Sequence, residues 1–319
     1  MIHRSSLSAT PRPRTRLWLP IAAVLVTAVV VCAALPVALT AAVAQEKSAA
    51  AMPSIPSDAD EAAIEGQRSA IRQEIAGLRA HRWAGDYYEG DGLGANIAFT
   101  LAPQQGFAAT WRGCLGLYGA NRGRVVEENG MLRLRYDRPN VSGFGGFPEA
   151  LRPVAWGERR YLIPEARMMA FVNAIHHGYE PRKQIHGMFL LASEDEKRPV
   201  VGLPDLPLRY RAMIRREPLE LRVVSAALDK KTKESNPALG CNYRYRLTLD
   251  RGARDGLAPD LELKTSAPQN VSETARILTV GERTATATLT VLFNDCGRPK
   301  IAPNANWRLT TGAYAPTKG

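Results

Sequence analysis

The sequence predicts an α+β exported protein: an N-terminal signal or anchor segment, an antiparallel β-meander domain with two helices, then a small all-β barrel or sandwich domain. Three observations predict it. An arginine-flanked apolar run fills the first 44 residues. Apolar and polar residues alternate from Trp83 onward and again from Leu219. Across 319 residues stand 26 glycines and 22 prolines, with few sustained helical periods between them. The 45% hydrophobic content suffices for real cores, and the length allows two domains. Collagen, a disordered tail and a multi-span membrane protein are excluded.

Arg4, Arg12, Arg14 and Arg16 precede an uncharged stretch from Leu17 to Ala44, the order of an export signal. Ala42-Val43-Ala44 before Gln45 offers the small residues a signal peptidase accepts, and Pro36 would end the apolar helix upstream. The run also reaches the ~20 residues that span a bilayer. Residues 1–44 are therefore either a signal cleaved after Ala44 or a retained single-span anchor. Both place the rest of the chain outside the cytoplasm, in the periplasm or cell envelope. Lipid attachment at Cys32 is disfavoured, because Val31 stands where a lipoprotein signal wants Gly, Ala or Ser.

Residues 45–60, with Ala49 to Ala51, Pro53 and Pro56, have neither period nor apolar content and read as a linker. Ser57 can cap a helix running to about Ala80, in which Ile64, Ile71, Ile75 and Leu78 form one stripe. With only two or three heptads, this helix is expected to lie on its own domain. That domain, 61–192, continues with strands: Ile97, Phe99 and Leu101 alternate with Ala98 and Thr100, and Phe107, Ala109 and Trp111 repeat the pattern. Asn129-Gly130 marks a tight hairpin between Val125-Val126 and Leu132, Leu134, Tyr136, since both residues accept positive φ. Pro164 is expected to open a second helix with Met168, Phe171, Val172 and Ile175 inward and Gly178 at its end.

Residues 193–218, with Pro199, Pro204, Pro207 and Pro218, read as a second linker. Beyond it, Leu219, Leu221 and Val223 alternate, as do Tyr243, Tyr245, Leu247 and Leu249, and Ala285, Ala287, Leu289 and Val291. Residues 219–319 thus suit an all-β domain of five or six short strands.

Outside the leader, cysteines stand at 114, 241 and 296. Cys241 immediately precedes one predicted strand and Cys296 follows another in the same domain, so these two are expected to form a disulfide in an oxidising compartment. Cys114 could serve as a nucleophile only with a histidine, from His176, His177 or His186. Its glycine-flanked, apolar surroundings instead read as a small buried hydrophobe that alkylates slowly. His176 and His177 point about 100° apart on a helix, so only one of them could share a metal with His186. A cationic histidine at the helix's negative end accounts for their placement more simply. No Gly-x-Ser-x-Gly, His-Glu-x-x-His or Walker pattern occurs, and no cofactor, metal or catalytic residue is expected. Gly90 to Asn96 lies between two strands and reads as a hairpin loop. Asn140 to Phe147 reads as a flexible loop with two exposed aromatics, Phe144 and Phe147.

Arginine supplies 33 of the 42 basic residues, with pairs such as Arg133 and Arg135, or Arg244 and Arg246, on wet strand faces. Without residues 1–44 the chain carries 38 basic and 31 acidic groups. The expected partners are another envelope protein or anionic envelope material. Nucleic acid is not expected outside the cytoplasm.

Two stretches carry resemblances. Asp250-Arg251-Gly252-Ala253-Arg254-Asp255-Gly256-Leu257-Ala258-Pro259 resembles a turn of MreC-like envelope β-modules, in which Gly252 and Gly256 would take positive φ, Asp255 would cap and Leu257 would pin the corner. Trp156 to Pro164, Gly178 to Arg182 and Trp83-Ala84-Gly85-Asp86-Tyr87-Tyr88 are similar to exported proteobacterial proteins of unknown function. Neither resemblance supplies an activity, and with no catalytic constellation in the sequence the reading is a non-catalytic envelope protein with a binding or scaffolding role. The alternatives are an exported hydrolase using Cys114 with a histidine and a lipocalin-like carrier of small ligands.

Overall fold

The computed structural model describes residues 57–178 and 189–314, apart from 91, 93, 95, 115 and 141–145. Residues 1–44, and with them the signal or anchor reading, lie outside these, as does His186. No helix among the described residues is long and apolar enough to cross a membrane.

Strands dominate and close into two antiparallel barrels. The first is an up-and-down barrel of β1 (Gly85–Glu89), β2 (Asn96–Ala102), β3 (Gly106–Gly113), β4 (Gly116–Glu128), β5 (Met131–Tyr136), β6 (Ala150–Trp156), β7 (Arg159–Pro164) and β8 (Leu190–Ala192). The meander closes because β8 pairs back onto β1, Tyr87 opposite Ala192. Closure removes both free edges of the sheet. Asn129 and Gly130 take φ of 53° and 72°, which turns β4 into β5 in two residues. Gly106, at φ +78°, opens β3 where a Cβ would lie 2.0 Å from the Gly123 carbonyl oxygen, a corner only glycine can make.

Inside this barrel Phe99 touches Phe107 and Phe147 at ring-centroid distances of 6.2 and 5.5 Å, and Phe107 meets Tyr136 at 5.1 Å. Leu101, Leu132, Leu151, Leu162 and Leu190 complete the core. Phe147 is therefore buried, against the exposed position expected for it. Its loop is held by Asn140, whose side chain donates to the Phe147 carbonyl at 2.6 Å and accepts from the Phe147 N–H at 2.9 Å. Phe144 lies outside the described residues.

Helix α1 (Asp58–Gly77) starts at a capping box in which Ser57 and Asp60 satisfy each other's backbone N–H. It lies on the outside of the first barrel, where Ile64 and Ile71 are buried against Ala102 and Ala108. Small residues on the strands' outer face let the helix approach closely. Helix α2 (Met168–His176) begins later than the sequence predicts. Pro164 ends β7 in an extended conformation, a 3₁₀ turn covers Glu165–Arg167, and α2 follows. A proline at the end of a strand leaves one N–H fewer to satisfy and turns the chain without breaking a ladder.

Residues 193–218 contain no strand, yet they pack as a strap over the first barrel. Trp156 Nε1 donates to the Gly202 carbonyl at 2.9 Å, and Arg160 donates through its backbone N and its Nε to buried Asp195, both at 2.9 Å. The short helix α3 (Leu208–Arg211) lies within the strap.

The second barrel holds β9 (Glu220–Lys233), β10 (Cys241–Leu249), β11 (Glu262–Ala267), β12 (Thr274–Val280), β13 (Ala285–Asn294) and β14 (Arg308–Thr310). Their order around the barrel is β10-β13-β12-β11-β14-β9, so two connections skip neighbouring strands. The alternating residues Leu221, Val223, Tyr243, Leu247, Leu289 and Val291 face inward and fill it. In the turn after β10, Gly256 takes φ +76° and Asp255 accepts from the Gly252 N–H at 2.9 Å. Gly252 departs from expectation: its φ is −145°, and glycine is needed there because a Cβ would lie 2.4 Å from the Gly281 carbonyl oxygen.

Candidate binding surfaces

Helix α2 is apolar on nearly every side, so it must be covered all round. Met168, Phe171, Val172 and Ile175 pack on Val154, Trp156, Tyr161 and Ile163 of β6 and β7. Met169 reaches the core of the second barrel. Buried Asn173 donates from Nδ2 to the Asp260 carbonyl at 3.0 Å and accepts on Oδ1 from the Glu262 N–H at 3.0 Å. One side-chain amide thus satisfies two backbone groups of the other barrel, and the two barrels are coupled through buried polar contacts.

The histidines belong to this junction. His176 is 2% exposed, and its Nε2 accepts from the Arg215 N–H at 3.2 Å. Burial pushes its pKa down to about 4; the Met213 carbonyl opposes this, and the charges of His177 and Arg215 add to it. His176 is neutral at physiological pH, which corrects the reading of a cation at the helix end. Helix-end polarity favours a charged histidine only while water reaches it, and the strap excludes water here. His177 Nε2 lies 3.5 Å from Glu262 Oε2, and Lys264 donates to the His177 carbonyl at 3.1 Å. Among the described residues, no group of three or more His, Cys, Asp or Glu is placed to hold a metal ion.

Beside α2 opens a polar cleft of about 330 Å³, lined by Glu165, Arg167, Asn173, Tyr210, Asp260 and Arg276 among others. Burial raises the pKa of Glu165, but hydrogen bonds from Arg152 and Arg209 outweigh it and hold the carboxyl below its ordinary value. A carboxylate held ionised by two guanidiniums is a poor proton donor or acceptor near neutrality.

Cys241 and Cys296 are joined, with Cα atoms 5.0 Å apart across a sequence separation of 55. Cys114 is exposed and takes no part in that bond. The expectation of a buried thiol is corrected by the register. Gly113 pairs with Gly116, so Cys114 sits in the tight connection between β3 and β4. Turn tips project into solvent whatever their polarity. Alkylation of the folded, unreduced protein is expected to label Cys114 without denaturation and to leave one linked pair in the peptide map. Labelling that requires denaturation would refute this placement.

The arginine-bearing strand faces differ between the barrels. On β10, Arg244 and Arg246 both pair with Asp229, at 2.7 and 3.3 Å, and their hydrogen bonds hold its carboxyl below the usual range. On the first barrel, Arg124 of β4 stands directly opposite Arg135 of β5, and both are exposed. Among the described residues, no ion-pair partner lies against either of them. Like charges directly across an antiparallel pair are destabilising. Alongside runs a cleft of about 560 Å³ lined by Glu128, Arg133, Leu134, Arg135, Tyr136 and Glu149, in which Arg133 is 3.8 Å from Glu128. Sequence reasoning noted Arg133 and Arg135 but missed Arg124. The signal was available, since a two-residue turn at Asn129-Gly130 sets the register that faces Arg124 with Arg135.

Compared with protein-family models, curated proteins and solved structures, the chain has no match.

Proposed function

We propose that the chain is an exported cell-envelope protein with a binding or scaffolding role, and that the β4–β5 face receives anionic envelope material. The observation that carries the binding reading is the Arg124–Arg135 pair, a cross-strand repulsion that an anionic ligand would relieve. Other features support it. The disulfide between Cys241 and Cys296 suits an oxidising compartment. Ring contacts among Phe99, Phe107 and Phe147 occupy the middle of the first barrel, which favours its outer faces over an internal cavity as the working surface. The coupling of both barrels through α2 suits a rigid module that presents surfaces at fixed geometry.

The test uses dextran sulfate as a polyanionic probe, titrated at physiological ionic strength into the wild type, Arg124→Ala/Arg135→Ala, and a control with the same charge change, Arg254→Ala/Arg283→Ala. The first variant is expected to bind about tenfold more weakly, with stability unchanged or slightly raised by relief of the opposed charges. The control is expected to bind nearly as the wild type does. Equal weakening in both variants would mean that net charge alone attracts the probe, and the reading would fail.

A further inference from the structure

Large apolar side chains cluster in the open at the end of the second barrel where β9 turns into β10. Leu239, Leu292 and Phe293 are 41%, 51% and 60% exposed there. Gly240, next to Leu239, lies against the Asn294 backbone, where a Cβ would be 2.2 Å from the Asn294 carbonyl oxygen, so the three apolar residues share one end. Phe293 takes φ 55°, a left-handed conformation that a bulky side chain adopts at a cost. It is held there: Asn242 Oδ1 accepts from the Phe293 N–H at 3.0 Å, Asn294 Oδ1 accepts from the Lys300 N–H at 3.1 Å, and the disulfide ties Cys296 to the start of β10. A strained aromatic fixed in an outward position by its surroundings marks a functional feature more often than an accident.

The strands and loop that form this end are rich in cations. Residues 228–246 and 291–300 carry seven basic residues against three acids, and one of those acids, Asp229, is already shared by Arg244 and Arg246. Four of the chain's nine lysines, Lys230, Lys231, Lys233 and Lys300, fall in these segments, in a protein that otherwise uses arginine. Lys231 extends over the Tyr243 ring, 5.6 Å from its centroid, and donates to the Cys296 carbonyl. Apolar side chains projecting from a basic rim match the chemistry of a bilayer interface with anionic headgroups. The apolar tips enter the acyl boundary while lysines reach the phosphates on flexible stems.

We propose that this end of the second barrel docks on an anionic lipid surface, with Phe293 and Leu292 inserted and the lysines on the headgroups. The proposal is independent of the arginine face on the first barrel. The test uses the chain from Gln45 onward, which keeps both cores and the disulfide whole, with vesicles of phosphatidylcholine alone or mixed with phosphatidylglycerol.

Co-sedimentation with the mixed vesicles is expected, falling with salt and weak on phosphatidylcholine alone. Phe293→Asn is expected to weaken partitioning about tenfold. The same change preserves or raises thermal stability, because asparagine tolerates left-handed φ. Lys230→Gln/Lys233→Gln/Lys300→Gln is expected to weaken it about 100-fold, at about fivefold per lysine. Arg124→Ala/Arg135→Ala is expected to change nothing. Equal binding to neutral and anionic vesicles would overturn the proposal, as would binding untouched by Phe293→Asn. A concentration-dependent dimer lost in Phe293→Asn without vesicle binding would assign the face to a second copy and overturn it too.

Discussion

Replacing Cys241 and Cys296 together by alanine is expected to lower the unfolding free energy by about 4 kcal/mol. The bond spans a sequence separation of 55, and a loop of that length loses much closure entropy when cross-linked in the unfolded chain. Cys241 is buried and pairs across the sheet with Asn294, so the bond also secures the end of β13 against β10. Alanine is the better replacement at Cys241, because a serine hydroxyl would be buried there without an assured partner. Urea titrations of the wild type, the double variant and the reduced wild type give the measurement. The variant and the reduced protein should share one lowered midpoint. A midpoint unchanged in both would mean that the second barrel holds its ends without the bond.

What the sequence made legible was local. Period-two alternation located Tyr243, Tyr245, Leu247 and Leu249 on one buried strand face, and Asn129-Gly130 located a turn with its register. The disulfide was legible because its cysteines flank strands of the same domain. A barrel or sandwich was legible for the second domain from its count of short strands, but closure of the first was not, since it depends on β8, a strand of three residues too short to show a period. Nor was the order of the second barrel, where β10 pairs with β13 and the intervening strands lie elsewhere. The thiol at Cys114 was misjudged because neighbouring apolar residues outweighed the pairing of Gly113 with Gly116. Phe147 was misjudged for the opposite reason, because a glycine-rich loop hides the long-range contact that draws one of its residues into a core.

His176 shows how burial by a distant segment reverses a local rule, and it sets a pH dependence. Its folded pKa of about 4 lies below the ordinary 6.5, so the folded protein refuses a proton that the unfolded chain accepts. Stability from this source is fully present above pH 6.5. It is lost as pH falls through the window from 6.5 to 4, by about 3 kcal/mol in all. Arg215 from the strap and any positive charge on His177, the residue that follows α2, disfavour a positive charge on the ring. Glu262, beside His177, is held below its ordinary value by the hydrogen bond to His177 and by Arg276, so it remains ionised through the upper part of this window. Unfolding free energies measured by urea titration between pH 7.5 and 4 should decline steeply in the wild type. In His176→Gln, whose side-chain amide can still accept from the Arg215 N–H but cannot take up a proton, that decline should be largely absent. A decline of equal steepness in both proteins would mean that carboxylates elsewhere carry the acid sensitivity and that the junction between the barrels does not sense pH through His176.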